Sequence, residues 1–277
     1  MADVYEFGGI REAQAFWERH ARLEQHFYTL IDLTNKCFGR EYQPADRAEY
    51  VVFDLGQACR DDFNELICLA AHGFGSGAMK LLRGMFERAV TAAYIMENPG
   101  KAERFVRFAA IQERRIAKTA LEVVSEEEFN NALGPANTAR DIEERYQEVK
   151  PEFEAIVCSK CGTKRVAASW DHLDVASMAK RVGPPFTDQI LGAYSIPNLR
   201  IHATLASIRS DRSQQEEADF AFQSAFYLML TVIGNQNEMY RLNLDDDIAS
   251  LSERWMAAWR PKPEASGLGE TSHDSDR

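Results

Sequence analysis

The chain has 277 residues, a hydrophobic content of 45% and a formal net charge of −11 at pH 7. This length and apolar content suffice for a packed core and indicate a globular protein. The acidic balance argues against a general affinity for nucleic acid or anionic membranes, because such binding requires a positive face that meets phosphates. Only a local basic patch would override this average.

The sequence carries none of the usual export or membrane signals. Its start, MADVYEFGG, lacks the basic and apolar regions of a signal peptide. The longest apolar block, Ala225 to Gly234, is about half a membrane span. Five cysteines are scattered through helical patterns, unlike the dense, even set of a secreted disulfide framework. We therefore expect a soluble, cytoplasmic protein with reduced thiols and no membrane contact.

Apolar residues at three-and-four spacing predict helices along the first half of the chain. The first helix runs from about Ile10 to Lys36 and the second from about Pro44 to His72. Gly73 to Asn98, GFGSGAMKLLRGMFERAVTAAYIMEN, combines a glycine-rich entry with roughly seven turns that are apolar over more than half their circumference. This third helix should be buried among its neighbours.

A charged helix is predicted from about Lys101 to Val124, followed by a short helix that starts at a capping box of Ser125 and Glu128. A polar helix then extends to about Ala155. The outer face of the charged helix is basic, which is typical of a solvated face or of an RNA-contacting strip. Its basic residues are Arg104, Arg107, Arg114, Arg115 and Lys118.

Residues 157–168, VCSKCGTKRVAA, are the one segment without a helical pattern, and they predict a loop or a small hairpin. Asp174 caps a short helix, and Pro197 opens another that runs to about Arg209. Ser213 and Glu216 form a second capping box. The helix that follows is almost continuously apolar from residue 220 to residue 233 and should be a second central helix.

The last predicted helix opens with three aspartates at 245–247 and carries Trp255 and Trp259 on one apolar stripe. No period-two run, fixed repeat or internal linker is apparent. We predict one all-α bundle domain over residues 1–260, of about nine or ten helices around two buried central ones, with residues 157–168 as an inserted CxxC loop. Residues 261–277 should form a disordered acidic tail.

One narrow strip on the buried third helix is polar: Lys80, Arg83, Glu87, Thr91 and Tyr94 fall within an arc of roughly 80°. Arg83 and Glu87 are four residues apart, so they can form a structural ion pair that fixes helix register. The strip can equally be a site, with a guanidinium for an anionic group, a carboxylate for proton transfer and Tyr94 as a hydrogen-bonding tip. Both interpretations stay open.

Cys158 and Cys161 form a CxxC pair with the shape of half a zinc site. Structural zinc needs four ligands, and the remaining two would have to come from another cysteine, from His172 or from a second subunit. We expect no cofactor, with zinc as the open alternative. The glycines at 73, 75 and 77 lie between two helices rather than after a strand, so they indicate a tight turn with close packing and no phosphate loop.

His202 shares a helix face with Asn198, whereas Arg200 points almost oppositely. A single histidine on a helix is commonly a packing residue. His202 becomes a candidate general acid or base only if it faces Arg83 and Glu87.

Three stretches together resemble a bacterial family known only as a domain of unknown function. They are ACRDDFNELICLAAHGFGSGAMKLLRGMFERAVTAAYIMENP, Trp170 ahead of a short capped helix that ends at Gly183, and YSIPNLRIHAT. The resemblance covers about residues 51–243 and implies an all-α fold without an established activity. The family pattern falls on Arg83, Glu87, Tyr94, Trp170, Tyr194 and His202.

A looser resemblance is to HEPN-type helical proteins, many of which are metal-independent ribonucleases of toxin and phage-defence systems. Their pattern places an arginine several residues before the histidine, and this chain departs from it because Arg200 precedes His202 by only two.

Two functions follow as hypotheses. The first is a non-catalytic or regulatory helical module whose polar core residues, with Tyr194 and His202 beside the strip, bind a small anion. The second is a metal-independent RNA-directed enzyme in which His202 transfers the proton and Arg83 stabilises phosphate charge. A homodimer through the last helix is an open alternative to burial of that helix in the core.

Overall fold

The computed structural model describes residues 9–134, 137–156, 161–201 and 213–259. These residues are mostly helical, with one short 3₁₀ turn at Pro99–Lys101 and a π-helical segment at Ile190–Ser195, which confirms the predicted all-α class. The α-helices in chain order are α1 (Ile10–Arg19), α2 (Ala21–Phe38), α3 (Arg47–Ala71), α4 (Gly75–Glu97), α5 (Ala102–Ala120), α6 (Glu126–Leu133), α7 (Ala139–Phe153), α8 (Val175–Val182), α9 (Phe186–Gln189), α10 (Ile196–Ile201), α11 (Gln214–Tyr240) and α12 (Asp245–Trp259).

The segment predicted as a loop or a small hairpin, residues 157–168, contributes the second of two short antiparallel strands. The strands are β1 (Glu154–Ile156), which precedes the predicted segment, and β2 (Lys164–Val166), with Ala155 opposite Arg165. The strands are mostly exposed. In the sequence they flank the CxxC pair, and they add little to the core. In the part of the chain that the structure describes, no helix is long and apolar enough to cross a membrane.

The core is built on α3, α4 and α11, which pack against one another along most of their lengths. On α4 and α11 the side chains of Leu82, Phe86, Phe222 and Phe226 are completely buried. This confirms the two predicted central helices, which are α4 and α11. The structure adds α3 as a third central helix. Trp255 on α12 is also fully buried and stacks on Phe226, so this tryptophan serves the core, and the homodimer stays a prediction.

The first turns of α4 and α11 approach each other so closely that only glycine fits between them. A Cβ atom at Gly75 would lie 2.0 Å from the main-chain oxygen of Gln214 and 2.8 Å from the main-chain nitrogen of Ala218. The Gln214 side chain accepts a hydrogen bond from the Ser76 main-chain N–H at 3.0 Å, which satisfies one donor of the free helix end. The glycine-rich entry is thus a turn and a packing contact, with Gly73 at φ 81°.

The single helix predicted from Ile10 to Lys36 is wrong, because the chain turns at His20 between α1 and α2. The His20 ring packs against Phe16 and Phe222, with centroids 4.6 and 5.4 Å apart. Its Nε2 lies 2.9 Å from Oδ1 of Asp219 on α11. Contacts with distant parts of the chain hold this turn, and local sequence does not show them.

The capping boxes predicted at Ser125 and Ser213 are both present, each with the reciprocal hydrogen bonds to the glutamate three residues on. Asp174 likewise caps α8 through the Ser177 N–H. These polar contacts fix where the helices begin.

The basic face of α5 is largely used inside the chain and is not simply solvated. Arg104 donates to the main-chain oxygens of Trp170 and Glu152 at 2.8 and 2.9 Å, and Arg115 donates to those of Ala167 and Ala168. The carboxylates of α7 balance the other two arginines. The pairs are Arg107 with Glu148 and Glu152, and Arg114 with Glu143.

We predict that Gly75→Ala lowers the free energy of unfolding by about 2 kcal/mol or more, because the new methyl group meets main-chain atoms that cannot move without separating α4 from α11. Denaturant unfolding measures this. The control is Gly100→Ala, where an added Cβ meets nothing within 4 Å and the change should stay within about 0.5 kcal/mol. Equal effects of the two substitutions would contradict the close contact.

A second constraint on the α3–α4 interface is electrostatic. Asp62 on α3 pairs with Arg88 on α4 and its side chain is only 13% exposed. Burial raises the pKa of this carboxyl from 3.8 to about 6, since the Arg88 guanidinium opposes the loss of hydration only in part and Glu65 and Asp61 add repulsion. The folded state therefore holds this proton more tightly than the unfolded state.

It follows that ionised Asp62 costs stability above pH 6, and this cost disappears as the pH falls from about 6 to about 4. We predict that Asp62→Asn is more stable than the wild type at pH 7.5, by on the order of 1–3 kcal/mol. The difference should shrink towards zero at pH 4. Urea unfolding of both proteins at several pH values measures it, and a difference that grows on acidification would contradict the raised pKa.

Candidate functional site

Arg83 and Glu87 form the ion pair that their spacing predicts, with Nη2 of Arg83 2.7 Å from Oε1 of Glu87. The π-helical segment adds Tyr194, whose ring centroid lies 5.3 Å from Cζ of Arg83. The Arg83 and Glu87 side chains are 23% and 32% exposed. The guanidinium is therefore held between a carboxylate and an aromatic ring while one side stays open to solvent. We call Arg83, Glu87 and Tyr194 the Arg83 cluster.

Two buried polar atoms on the helices around this cluster have no hydrogen-bond partner among the described residues. They are Nε of Arg83 and Oδ1 of Asn198, on α4 and α10, which pack against each other. A buried donor or acceptor without a partner costs about 1–3 kcal/mol. Arg83 consequently has unused hydrogen-bonding capacity among the described residues, which a purely structural ion pair does not require.

Tyr94 and Trp170 lie apart from the Arg83 cluster. Tyr94 is eleven residues beyond Arg83, about 16 Å along the helix axis, and is only 3% exposed. Its ring packs edge-on against Trp170 at 6.0 Å, and Trp170 packs in turn against Phe105 at 5.2 Å. Trp170 also borders a cleft of about 350 Å³ between α3 and α5. The structure thus divides the predicted ligand-binding set into two places.

The polar strip of α4 faces the chain segment that runs from Trp170 to Ile201. α8, α10 and the π-helical segment all pack against α4, and Tyr194 and Trp170 meet the strip at two levels. Part of the strip is therefore a docking surface for this segment. Lys80, by contrast, is exposed.

His202 and Cys158 lie outside the described residues, so the predicted meeting of His202 with the Arg83 cluster stays a prediction. Cys161 is exposed, and its Sγ lies 2.8 Å from Oγ1 of Thr163. Among the described residues no group of three or more metal-ligating side chains comes together. The zinc half-site is accordingly untested and remains a prediction.

A buried polar junction at the start of α11 was missed by the sequence reasoning. Glu217 is 2% exposed, pairs with Arg200 of α10 and accepts a hydrogen bond from the Ser76 hydroxyl at 2.7 Å. The signal in the sequence is a second glutamate directly after the capping-box residue Glu216, where one carboxylate caps the helix and the other makes a tertiary contact. Arg200 therefore links α10 to the contact between α4 and α11.

The fold and the cluster define an all-α helical protein in which one long buried helix carries a polar strip. The chain belongs to the Family of unknown function (DUF5677), whose model matches residues 49–220. The matched range runs from the start of α3 into the first turns of α11 and contains the whole Arg83 cluster. This confirms the resemblance to a domain of unknown function. No curated protein and no solved structure matches the chain.

We predict that Arg200→Met lowers the free energy of unfolding by about 3 kcal/mol, because it leaves the buried Glu217 carboxylate without its guanidinium. Adding Glu217→Gln to this variant should restore part of the loss. Arg60→Met is the control, since Arg60 pairs with the exposed Asp61 and should cost less than about 1 kcal/mol. Chemical unfolding measures all three, and a loss at Arg200 as small as that at Arg60 would contradict the buried pair.

Proposed function

We propose that this chain is a non-catalytic, regulatory helical module that binds a small oxyanion at the Arg83 cluster. The observation that carries the proposal is the Arg83 guanidinium itself. It is fixed by Glu87 and Tyr194, is partly exposed, and has a buried Nε donor without a partner in the described part of the chain. A guanidinium held in this way suits an oxyanion, because its N–H groups lie in one plane and match two oxygen acceptors.

A second unpaired buried atom, on the helix α10 that packs against α4, supports a protonated oxyanion in particular. Nε of Arg83 needs an acceptor and Oδ1 of Asn198 needs a donor. Hydrogen phosphate carries both kinds of group. We infer that an anion of this class fits the cluster better than a fully deprotonated carboxylate, which only accepts.

The position of Tyr194 suggests how binding would be transmitted. Its ring contacts both Arg83 and the buried Phe86, and it belongs to a π-helical segment, a geometry that is rare and frequent at functional sites. An anion that draws Arg83 away from the ring would change how this segment rests on α4. Binding at the cluster would thereby alter the docking of residues 190–201.

The test is thermal unfolding of the full chain in inorganic phosphate, compared with sodium chloride at equal ionic strength. We predict that phosphate raises Tm by a few degrees in the wild type, because a ligand that binds only the folded state stabilises it. Arg83→Gln should abolish the rise. Arg60→Gln, which removes an arginine on α3 that also pairs with a carboxylate, should keep it.

An equal phosphate response in wild type and Arg83→Gln would reject the cluster as the anion site. Incubation of the same proteins with RNA addresses the alternative. Cleavage that is lost in both Arg83→Gln and His202→Ala would favour the metal-independent ribonuclease over the non-catalytic module.

A further inference from the structure

A large open cavity of about 1030 Å³ lies at the opposite end of α4 and α11 from Gly75. The end of α4, the turn at residues 182–186, the second half of α11 and the first half of α12 line it. It shares no residue with the Arg83 cluster. All of its lining on α11 and α12 falls outside residues 49–220, the range that matches the family, whereas its α4 wall and the turn at residues 182–186 fall inside that range. A ligand here would therefore also contact residues beyond the family model.

The cavity has an apolar side and a charged rim. The half-buried Met96 and Ile248 and the buried Phe186 and Leu230 contribute apolar atoms to its walls from four different elements. Burying apolar ligand area against such a surface contributes roughly 25 cal/mol for each Å². A ligand that occupies the cavity should accordingly have an apolar body.

The rim is predominantly negative. Glu97, Glu238 and Asp245 line the cavity with one cation, Arg241. In the described part of the chain neither Glu97, Glu238 nor Arg241 forms an ion pair, while Asp245 accepts a hydrogen bond from Asn237 at 2.9 Å. The carboxyl ends of α4 and α11, at residues 97 and 240, both border this region, and the free carbonyls of helix ends add negative potential. The amino end of α12 at Asp245 opposes this potential, but three carboxylates against one guanidinium leave the rim net negative and favour a cation.

Gly234 is a second feature of the cavity wall that packing within the chain does not explain. It lies inside α11, where glycine costs about 1 kcal/mol relative to alanine, and it lines the cavity. A Cβ at Gly234 would meet nothing within 4 Å, whereas one at Gly56 in α3 would lie 2.8 Å from the Gln236 side chain. Packing within the chain explains Gly56 but not Gly234. The missing side chain opens the helix surface to the cavity, as glycine does where a ligand approaches the backbone closely.

We propose that this cavity binds a small organic amine with an apolar body. Its ammonium group pairs with the carboxylates of Glu97 and Glu238, and its apolar part lies along α11 beside Gly234 and against Leu230. Such a ligand uses the apolar side and the negative rim together, and it gives Glu97 and Glu238 the ion-pair partner that they lack among the described residues. The site is separate from the proposed anion site, and either one can fail alone.

Three indole compounds of similar size and different charge test the proposal by calorimetry on the full chain at low salt. Tryptamine is a cation, tryptophol is neutral and indole-3-acetate is an anion. We expect saturable one-site binding of tryptamine and at least about tenfold weaker binding of tryptophol, because loss of one charged contact is worth about a factor of ten. Indole-3-acetate should bind more weakly than tryptophol.

Substitutions then locate the site. Gly234→Leu fills the open space and should abolish tryptamine binding while the protein stays at least as stable as the wild type, since leucine is a better helix former. Glu238→Gln should weaken binding several-fold, and the matched control Glu127→Gln in α6 should not change it. Absence of saturable tryptamine binding, equal binding of tryptamine and tryptophol, or full binding by Gly234→Leu would each overturn the proposal.

Discussion

The architecture depends on one contact between main chains, where the first turn of α4 meets the first turn of α11 at Gly75. A side chain of any size at this position would push the two central helices apart. Because the helices meet at their amino ends and run in the same direction, their dipoles reinforce each other at both ends of the pair. The positive ends surround the buried Glu217 carboxylate, and the negative ends lie beside the large cavity. One steric constraint thus places two electrostatically different environments at opposite ends of the molecule.

The polar strip of α4 reconciles the two interpretations of its sequence. Towards the carboxyl end, Thr91 and Tyr94 are buried and the Tyr94 ring packs against Trp170, so there the strip is structural. At its middle the Arg83 cluster remains partly exposed with hydrogen-bonding capacity left over. A single helix face is therefore a packing surface at one level and a candidate binding site at another. Spacing alone assigns residues to the face but cannot tell which turn of it is covered.

Local patterns in the sequence were sufficient for the all-α class, the two central helices, the capping boxes at Ser125 and Ser213 and the pairing of Arg83 with Glu87. Each of these depends on residues within about four positions of one another. The failures depend on distant partners. The turn at His20 is held by Phe222 and Asp219, some two hundred residues away in sequence, and the partner of Arg200 is on another helix. The sequence shows a glycine at position 234, but only the structure shows that a side chain there would meet no neighbour within 4 Å.

Two arginines of α5 hold the neighbouring chain segment by its main chain. Arg104 and Arg115 bind main-chain oxygens of residues 167, 168 and 170, and every amino acid carries the same carbonyl group. At residues 167 and 168 the attachment to α5 is therefore largely independent of which side chains the stretch bears, whereas Trp170 adds its own ring contact with Phe105. The hairpin that precedes it can change its sequence, its length or its chemistry while the anchor points persist. A segment held in this way is free to diversify. The CxxC pair, Cys158 and Cys161, lies in the sequence shortly before these anchor points.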